Sequence, residues 1–139
     1  MKDAIAILGA GHGAHAMAGD LASRGFAVNM FEMPRFQGGV RKLFETQTIE
    51  VSGILQGTFE LNKVTSDIDE AISGVKYILV VTPAFAHQSY ARLLKGKVRS
   101  DQVIVVYPGA FAPCSFARSS GTWSARSSPT STTFPTTPA

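Results

Sequence analysis

Apolar residues along the first part of the chain follow two patterns in turn. Residues 4–8 form an unbroken apolar run, which predicts a strand buried on both faces. Small and apolar residues then recur at the spacing of one helix face, at Ala14, Met17, Ala18, Leu21 and Ala22. Gly25 follows the last turn as a normal helix stop, and residues 27–31 are again mostly apolar. The pattern therefore predicts a strand, a helix and a second strand.

The next eighty residues continue this alternation. Residues 48–51 and 58–61 alternate polar and apolar, which predicts two short strands of a half-exposed excursion. The other predicted elements are a loop over 33–39, a short helical turn over 40–45, a helix capped by Asp67 that runs through Ile72 and ends at Gly74, a strand over 77–81, a helix over 84–94 and a strand over 102–107. Strands alternating with helices predict an α/β fold of the Rossmann type, with a doubly wound, mainly parallel sheet.

The last part of the chain has a different character. Residues 119–139 are mostly Ser, Thr and Pro, and no acidic residue follows Asp101. Such a segment buries too little apolar surface to offset the entropy of ordering it. We therefore expect one folded domain over residues 1–112, and over 113–139 either a disordered tail or the product of a shifted reading frame.

Composition narrows the class of protein. The chain has 139 residues, and its net charge of +3 comes from scattered basic residues, so we predict no nucleic-acid surface. No apolar run is long enough to cross a membrane, and the first strand begins too early to leave room for a signal peptide. The single cysteine, Cys114, excludes an internal disulfide framework and a cysteine-based zinc cluster. We expect a cytoplasmic protein.

The turn after the first strand reads Gly9-Ala-Gly11-His-Gly-Ala14. In a dinucleotide-binding unit the first glycine allows the tight turn, the second lets the backbone approach a pyrophosphate, and the third small residue lets helix and strand pack closely. The helix N-terminus then offers free N–H groups and a positive dipole end to the phosphates. The sequence therefore predicts a dinucleotide site at this turn.

Glu32, at the end of the second strand, favours NAD over NADP. It lies about twenty residues after the turn, where a carboxylate accepts hydrogen bonds from the adenosine ribose and repels a 2′-phosphate. Arg35 leaves the alternative open, because its guanidinium could reach that phosphate or stack on adenine. NAD is the predicted cofactor, with NADP as the alternative.

Three loops are expected at the carboxyl edge of the sheet, over residues 9–14, 82–87 and 108–109. His12 could lean over the diphosphate and His87 could face the cofactor, or either could merely pack; His15 is expected to pack or lie at the surface. No carboxylate cluster accompanies the histidines, so we predict no metal site. The predicted cofactor-binding residues are Gly9, Gly11, His12, Gly13, Ala14, Glu32, Arg35, Thr82, Pro83, Ala84, His87, Pro108 and Gly109, with no catalytic residue.

These motifs resemble the N-terminal domain of the opine (octopine/nopaline) dehydrogenases. Their wider superfamily includes the 6-phosphogluconate and glycerol-3-phosphate dehydrogenases and the ketopantoate reductases. The resemblance covers about residues 3–112, and the segments that carry it are 9–20, 31–32, 51–57, 64–67 and 80–87. It implies hydride transfer between NAD(P)H and an imine formed from an amino acid and a 2-oxo acid.

The resemblance also implies what this chain does not carry. In the family a helical domain with a catalytic histidine–aspartate pair and the substrate pocket follows, whereas this chain stops before it. We therefore expect cofactor binding without activity, and a homodimer through the apolar surface that truncation exposes. Two other functions stay open: a fragment of another dehydrogenase of the superfamily, of the glycerol-3-phosphate or ketopantoate type, and a free-standing NAD(H)-binding module.

Overall fold

A computed structural model of the protein describes residues 3–107. The strands are β1 (Ala4–Leu8), β2 (Ala27–Phe31), β3 (Thr48–Val51), β4 (Gly57–Glu60), β5 (Lys63–Thr65), β6 (Tyr77–Val81) and β7 (Val103–Tyr107). The α-helices are α1 (His12–Ser23), α2 (Arg41–Thr46), α3 (Ile68–Ile72) and α4 (His87–Leu94), and 3-10 helices span Pro34–Val40 and Ala84–Ala86. The predicted tail and domain boundary lie outside the described residues.

The main sheet has five strands in the order β5-β2-β1-β6-β7, and every neighbouring pair is parallel. β1 lies in the middle, between β2 and β6, and residues 5–8 are buried. An unbroken apolar run suits this central strand because helices cover both faces of a parallel sheet. The predicted α/β fold with a mainly parallel, doubly wound sheet is confirmed.

Alternate side chains of the central strands pack into two separate hydrophobic cores, one on each face of the sheet. One core lies beneath α3 and α4, and its strand residues include Ala6, Leu8, Phe31, Ile78 and Val80. The other lies beneath α1, α2 and the β3–β4 hairpin, and its strand residues include Ile7, Val28, Met30, Ile49 and Val64. The sheet is therefore the middle of three layers.

The hairpin of β3 and β4 is the predicted half-exposed excursion. The two strands are antiparallel, with Ile49 opposite Phe59, and Ile49 is buried whereas Ile54 in the connecting turn is fully exposed. Gly19 of α1 lies against this hairpin, and a Cβ there would overlap Cγ2 of Val51. A side chain at position 19 would therefore force Val51 to shift, and glycine lets the helix approach β3 without that change.

The predicted helix ends are confirmed at three places. Asp67 caps α3, because its side chain accepts a hydrogen bond of 2.9 Å from the backbone N–H of Asp69. Gly25 and Gly74, which follow α1 and α3, have φ angles of +86° and +72°. Residues with a Cβ rarely adopt such angles, so glycine stops both helices.

Two predicted elements differ from the structure, and one strand was not predicted. The loop over 33–39 is largely the 3-10 helix that starts at Pro34, whose fixed φ suits a first helical position. The helix over 84–94 is divided, with a 3-10 turn before α4 begins at His87. β5 was not predicted, because three residues are too few to show an alternating pattern.

Candidate functional site

The strand order reverses beside β1, and this places a crevice at the carboxyl ends of β1 and β6. From β1 the chain moves outward through β2 to β5, then returns to the other side of β1 for β6 and β7. In open parallel sheets the connections leave such a switch point on opposite faces, and ligands bind in the gap between them. Residues 9–11 and 82–83 are the segments that leave the two strands here.

Gly9 holds the turn out of β1 against β6. Its φ is +115°, and a Cβ at this position would lie 2.5 Å from the carbonyl oxygen of Val81 and 2.9 Å from Cγ2 of Thr82. Its N–H donates to the carbonyl of Phe31 at 2.8 Å. Both the backbone angle and the close contact exclude a side chain, so Gly9 makes the tight turn that the sequence predicts.

Gly11 is exposed at the start of α1, and a Cβ there would meet no atom within 4 Å. It is the N-cap residue, with extended backbone (φ −77°, ψ −175°) and no capping side chain. The first N–H groups of a helix have no partner within it, so α1 presents them at the crevice with its positive dipole end. This arrangement suits a phosphate.

Gly13 and Ala14 bring the start of α1 close to the sheet. Ala14 is fully buried, and a Cβ on Gly13 would lie 3.5 Å from Cγ1 of Val81. The small residues therefore let the helix N-terminus lie beside both β1 and β6, as their spacing predicts.

The two histidines of the turn differ in surroundings. His12 is exposed, whereas His15 is half-buried and its Nδ1 lies 2.9 Å from the carbonyl oxygen of Gly11. Both line an open groove of about 570 Å³ that extends from Ala10 to α2 and β3. Lys42 and Glu50 form an exposed ion pair of 3.3 Å in the opposite wall. His12 is free to face a ligand, and His15 is engaged with the turn.

Thr82, directly after β6, has a hydroxyl group without a hydrogen-bond partner among the described residues. The residue is 8% exposed, and its Oγ1 is buried. An orphaned hydroxyl in a protein interior is costly and calls for an explanation such as a missing ligand. The orphaned hydroxyl lies in the turn after β6, whose Thr82 Cγ2 faces Gly9.

His87 is buried rather than open to the crevice. The residue is 1% exposed, and its Nε2 lies 3.1 Å from the carbonyl oxygen of Thr82. The imidazole therefore ties the first turn of α4 to the end of β6. Direct contact of His87 with a cofactor stays a prediction, and its observed contact is with the turn that carries Thr82 and Pro83.

Glu32 directly follows β2 and is 9% exposed. Its Oε1 accepts hydrogen bonds from the Met33 backbone N–H at 2.8 Å and from the Tyr90 hydroxyl at 3.1 Å. Burial, followed by the negative charge and hydrogen bond of Glu32, raises the pKa of the Tyr90 phenol. Tyr90 is therefore a neutral donor to a carboxylate at physiological pH.

Arg35 lies on the exposed side of the same region. Its guanidinium stacks on the Phe36 ring at 4.8 Å and lies 3.6 Å from the sulfur of Met33.

The sequence analysis missed Tyr90, although one signal was present. Tyr90 falls on the apolar face of α4 with Ala91 and Leu94, and a buried tyrosine hydroxyl needs a partner.

Pro108 and Gly109 lie outside the described residues, as does the side chain of Ala84. Across residues 3–107, no group of three or more His, Cys, Asp or Glu side chains is placed to hold a metal ion. In the same part of the chain, no helix is both long and apolar enough to cross a membrane.

Comparison with known proteins gives a consistent result. The family described as NAD-dependent glycerol-3-phosphate dehydrogenase N-terminus matches residues 4–110. An opine dehydrogenase of Arthrobacter sp. (strain 1C) is 33% identical over 106 residues, which are 76% of this chain and 29% of that protein. A glycerol-3-phosphate dehydrogenase [NAD(P)+] of Moorella thermoacetica is 35% identical over 106 residues, which are 76% of this chain and 31% of that protein.

The fold also matches solved structures. A structure of octopine dehydrogenase with NADH and L-arginine superposes with a TM-score of 0.72 at 23% identity, over 87% of this chain and 32% of that one. The chain thus spans about a third of the length of the proteins that it matches.

Proposed function

The chain belongs to the family of the NAD-dependent glycerol-3-phosphate dehydrogenase N-terminus, and we propose that it is the cofactor domain of an opine-type dehydrogenase, with NAD(H) bound in the crevice between β1 and β6. The family confirms two predictions from the sequence, namely the resemblance itself and a nicotinamide dinucleotide as cofactor. The position of the cofactor and the substrate are the proposed parts.

The observation that carries the site is the contrast between Gly9 and Gly11. Gly9 has no room for a Cβ because β6 lies against it, whereas Gly11 has open space at the N-terminus of α1. A pyrophosphate in that space would accept from the free N–H groups of α1.

The other predicted residues take roles along the cofactor. We assign Gly13 and Ala14 to the close approach of α1, His12 to the diphosphate, and Glu32 to the adenosine ribose. Arg35 is assigned to the adenine, over which its exposed guanidinium could stack.

Around the nicotinamide half, we assign Thr82, Pro83 and Ala84, together with Pro108 and Gly109, which follow β7 in the sequence. His87 would support them by holding the turn after β6. When bound, the nicotinamide supplies or accepts the hydride, and these residues only bind it and hold it in place.

The substrates we propose are an amino acid and a 2-oxo acid, joined and reduced to an opine. The segment Pro83-Ala-Phe-Ala-His87 and the Arthrobacter relative support this choice. A second candidate, reduction of a sugar phosphate, is favoured by the matched family and the Moorella relative. Sequencing the gene beyond codon 107 and translating each reading frame would show which type of substrate domain, if any, is encoded there. That domain would distinguish the two candidates.

We further propose that residues 1–112 are the cofactor domain. We also propose that the chain alone has no turnover, since His12, His15 and His87 all lie in this domain. Phe85 and Phe36 are 87% and 52% exposed in the segments after β6 and β2. We propose that they face the remainder of the enzyme in a full-length protein. The homodimer and the cytoplasmic location stay predictions.

The test is a titration of the purified chain with NADH, in which binding is monitored through the fluorescence of the cofactor. Gly11→Val should abolish binding, because the branched side chain fills the space assigned to the pyrophosphate while its extended backbone accepts valine. Ala16→Val, on the exposed face of α1, adds a similar side chain outside the crevice and should bind as the unmodified chain does. Equal titration curves for Gly11→Val and the unmodified chain would refute the site.

A further inference from the structure

The carboxylate of Glu32 is fixed through only one of its two oxygens. The backbone N–H of Met33 and the hydroxyl of Tyr90 both donate to Oε1, at 2.8 Å and 3.1 Å. An ionised carboxylate can accept about four hydrogen bonds. Within residues 3–107, Oε2 accepts none.

The free oxygen is not completely buried. Ser66 Oγ and Thr82 Oγ1 are the buried side-chain atoms without a partner in the described part of the chain, and Glu32 Oε2 is not one of them. Although the residue as a whole is only 9% exposed, its Oε2 therefore keeps some solvent-accessible surface. An oxygen at the end of β2, with one side open and its neighbour held, is suited to accept from a ligand hydroxyl.

Tyr90 is held as firmly as the carboxylate that it contacts. It is 3% exposed, and its ring meets that of Phe31 edge-on, with 6.0 Å between ring centres and an angle of 82° between the planes. Phe31 precedes Glu32 in the chain, so the same aromatic contact fixes both the end of β2 and the hydroxyl donor. The Tyr90 hydroxyl thus connects α4, in the helical layer, to Glu32 at the end of β2 in the sheet.

We propose that Tyr90 is a positioning residue for cofactor selectivity. By occupying Oε1, it holds the Glu32 carboxylate in one orientation, with Oε2 as acceptor for the hydroxyls of an unphosphorylated ribose. The fixed carboxylate cannot rotate away from a 2′-phosphate, so NADPH meets an immovable negative charge. This inference rests on the proposed site, in which Glu32 meets the ribose.

Removing the hydroxyl should weaken selectivity rather than the fold. Tyr90→Phe keeps the ring against Phe31 and removes one buried oxygen. The Met33 N–H is then the one donor left on Oε1, so the carboxylate is held less firmly. Hydrogen bonds to charged groups contribute about 1.5–3 kcal/mol, and part of this is recovered from solvent. We expect the preference for NADH over NADPH to fall by about three- to tenfold.

The experiment is a double-mutant cycle on the full chain, with NADH and NADPH titrated separately into the unmodified chain, Tyr90→Phe, Glu32→Ser and the double variant. Tyr90→Phe should lower the ratio of the two affinities, but in the Glu32→Ser background it should change nothing, because no carboxylate is left to position. Tyr77→Phe, at the amino end of β6, removes the same group far from Glu32 and should leave the ratio unchanged.

Two results would overturn the inference. One is an unchanged affinity ratio in Tyr90→Phe. The other is an equal change with and without Glu32, which would mean that Tyr90 acts only through packing. A chain that binds no NADH, or binds it regardless of Gly11→Val, would instead refute the proposed site, and the inference with it.

Discussion

Two substitutions that add the same methyl group two residues apart, Gly9→Ala and Gly11→Ala, should separate an effect on folding from an effect on cofactor binding. At Gly9 the new Cβ would lie 2.5 Å from the Val81 carbonyl oxygen and 2.9 Å from Thr82 Cγ2, on a residue with φ of +115°. At Gly11 it would meet no atom within 4 Å, on extended backbone. One substitution therefore disturbs β6, and the other only fills the crevice.

The magnitudes follow from these contacts. Backbone strain at position 9 costs about 1–3 kcal/mol, and displacing β6 from the contact costs about 1–3 kcal/mol more. The sum, about 4 kcal/mol, is a large part of a typical folding free energy of about 5–15 kcal/mol. At Gly11 the loss of a good N-cap residue, a few tenths to about 1 kcal/mol, is offset by about 0.4–1 kcal/mol from a less flexible unfolded chain.

The assay is urea unfolding followed by far-ultraviolet circular dichroism, together with NADH titration. Gly9→Ala should lose about 4 kcal/mol of unfolding free energy. Gly11→Ala should stay within about 0.5 kcal/mol of the unmodified chain yet bind NADH at least tenfold more weakly. Equal destabilisation by the two substitutions, or full NADH affinity in Gly11→Ala, would refute the assignment of turn and pyrophosphate space.

Four further outcomes are expected. Glu32→Ser should narrow the gap between NADH and NADPH affinities by relieving repulsion of the 2′-phosphate; tighter binding of NADPH by the unmodified chain would make Arg35 the dominant contact. The purified chain should oxidise no NADH above background with pairs of amino acids and 2-oxo acids, and turnover that disappears in His87→Ala would contradict this. Gln47→Ala should lower the unfolding free energy by about 2 kcal/mol through lost hydrogen bonds to β5, whereas exposed Gln88→Ala should change it by under about 0.5 kcal/mol in the same urea titration. The pKa of Tyr90 is raised in the folded chain, so the folded state keeps a proton that the unfolded chain releases above about pH 10. Above that pH the unfolding free energy of the unmodified chain should therefore fall by up to about 1.4 kcal/mol per pH unit relative to Tyr90→Phe. Parallel curves of stability against pH for the two proteins would contradict this.

The parts of the fold that the sequence predicts are those set by local patterns. β1, α1 and β2 follow from apolar runs, helical spacing and glycine stops within thirty residues of one another. The turn at Gly9 follows from the same short motif, because its φ of +115° is set by the local turn and favours glycine. The open position of Gly11 follows from the motif as well.

What the sequence does not predict depends on distant partners. β5 has three residues and is completed by pairing with β2 and by the Gln47 side chain, 17 positions before Val64. The contact of Tyr90 with Glu32 joins residues 58 positions apart. The burial of His87 depends on the turn at Thr82, which no periodicity reveals.

The two edges of the five-stranded sheet differ in their capacity to accept another strand. At β5 the outward-facing backbone of Val64 is already engaged, because Gln47 Oε1 accepts from its N–H at 2.7 Å and Gln47 Nε2 donates to its carbonyl at 3.3 Å. At the other edge, β7 pairs only with β6 within the described residues, and Val103 is 45% exposed. An open strand edge is a template for backbone pairing, both for orderly extension of a sheet and for aggregation. The Gln47 side-chain amide thus blocks one edge of the sheet, and within residues 3–107 the edge open to a further strand, from the same polypeptide or from another copy, is β7.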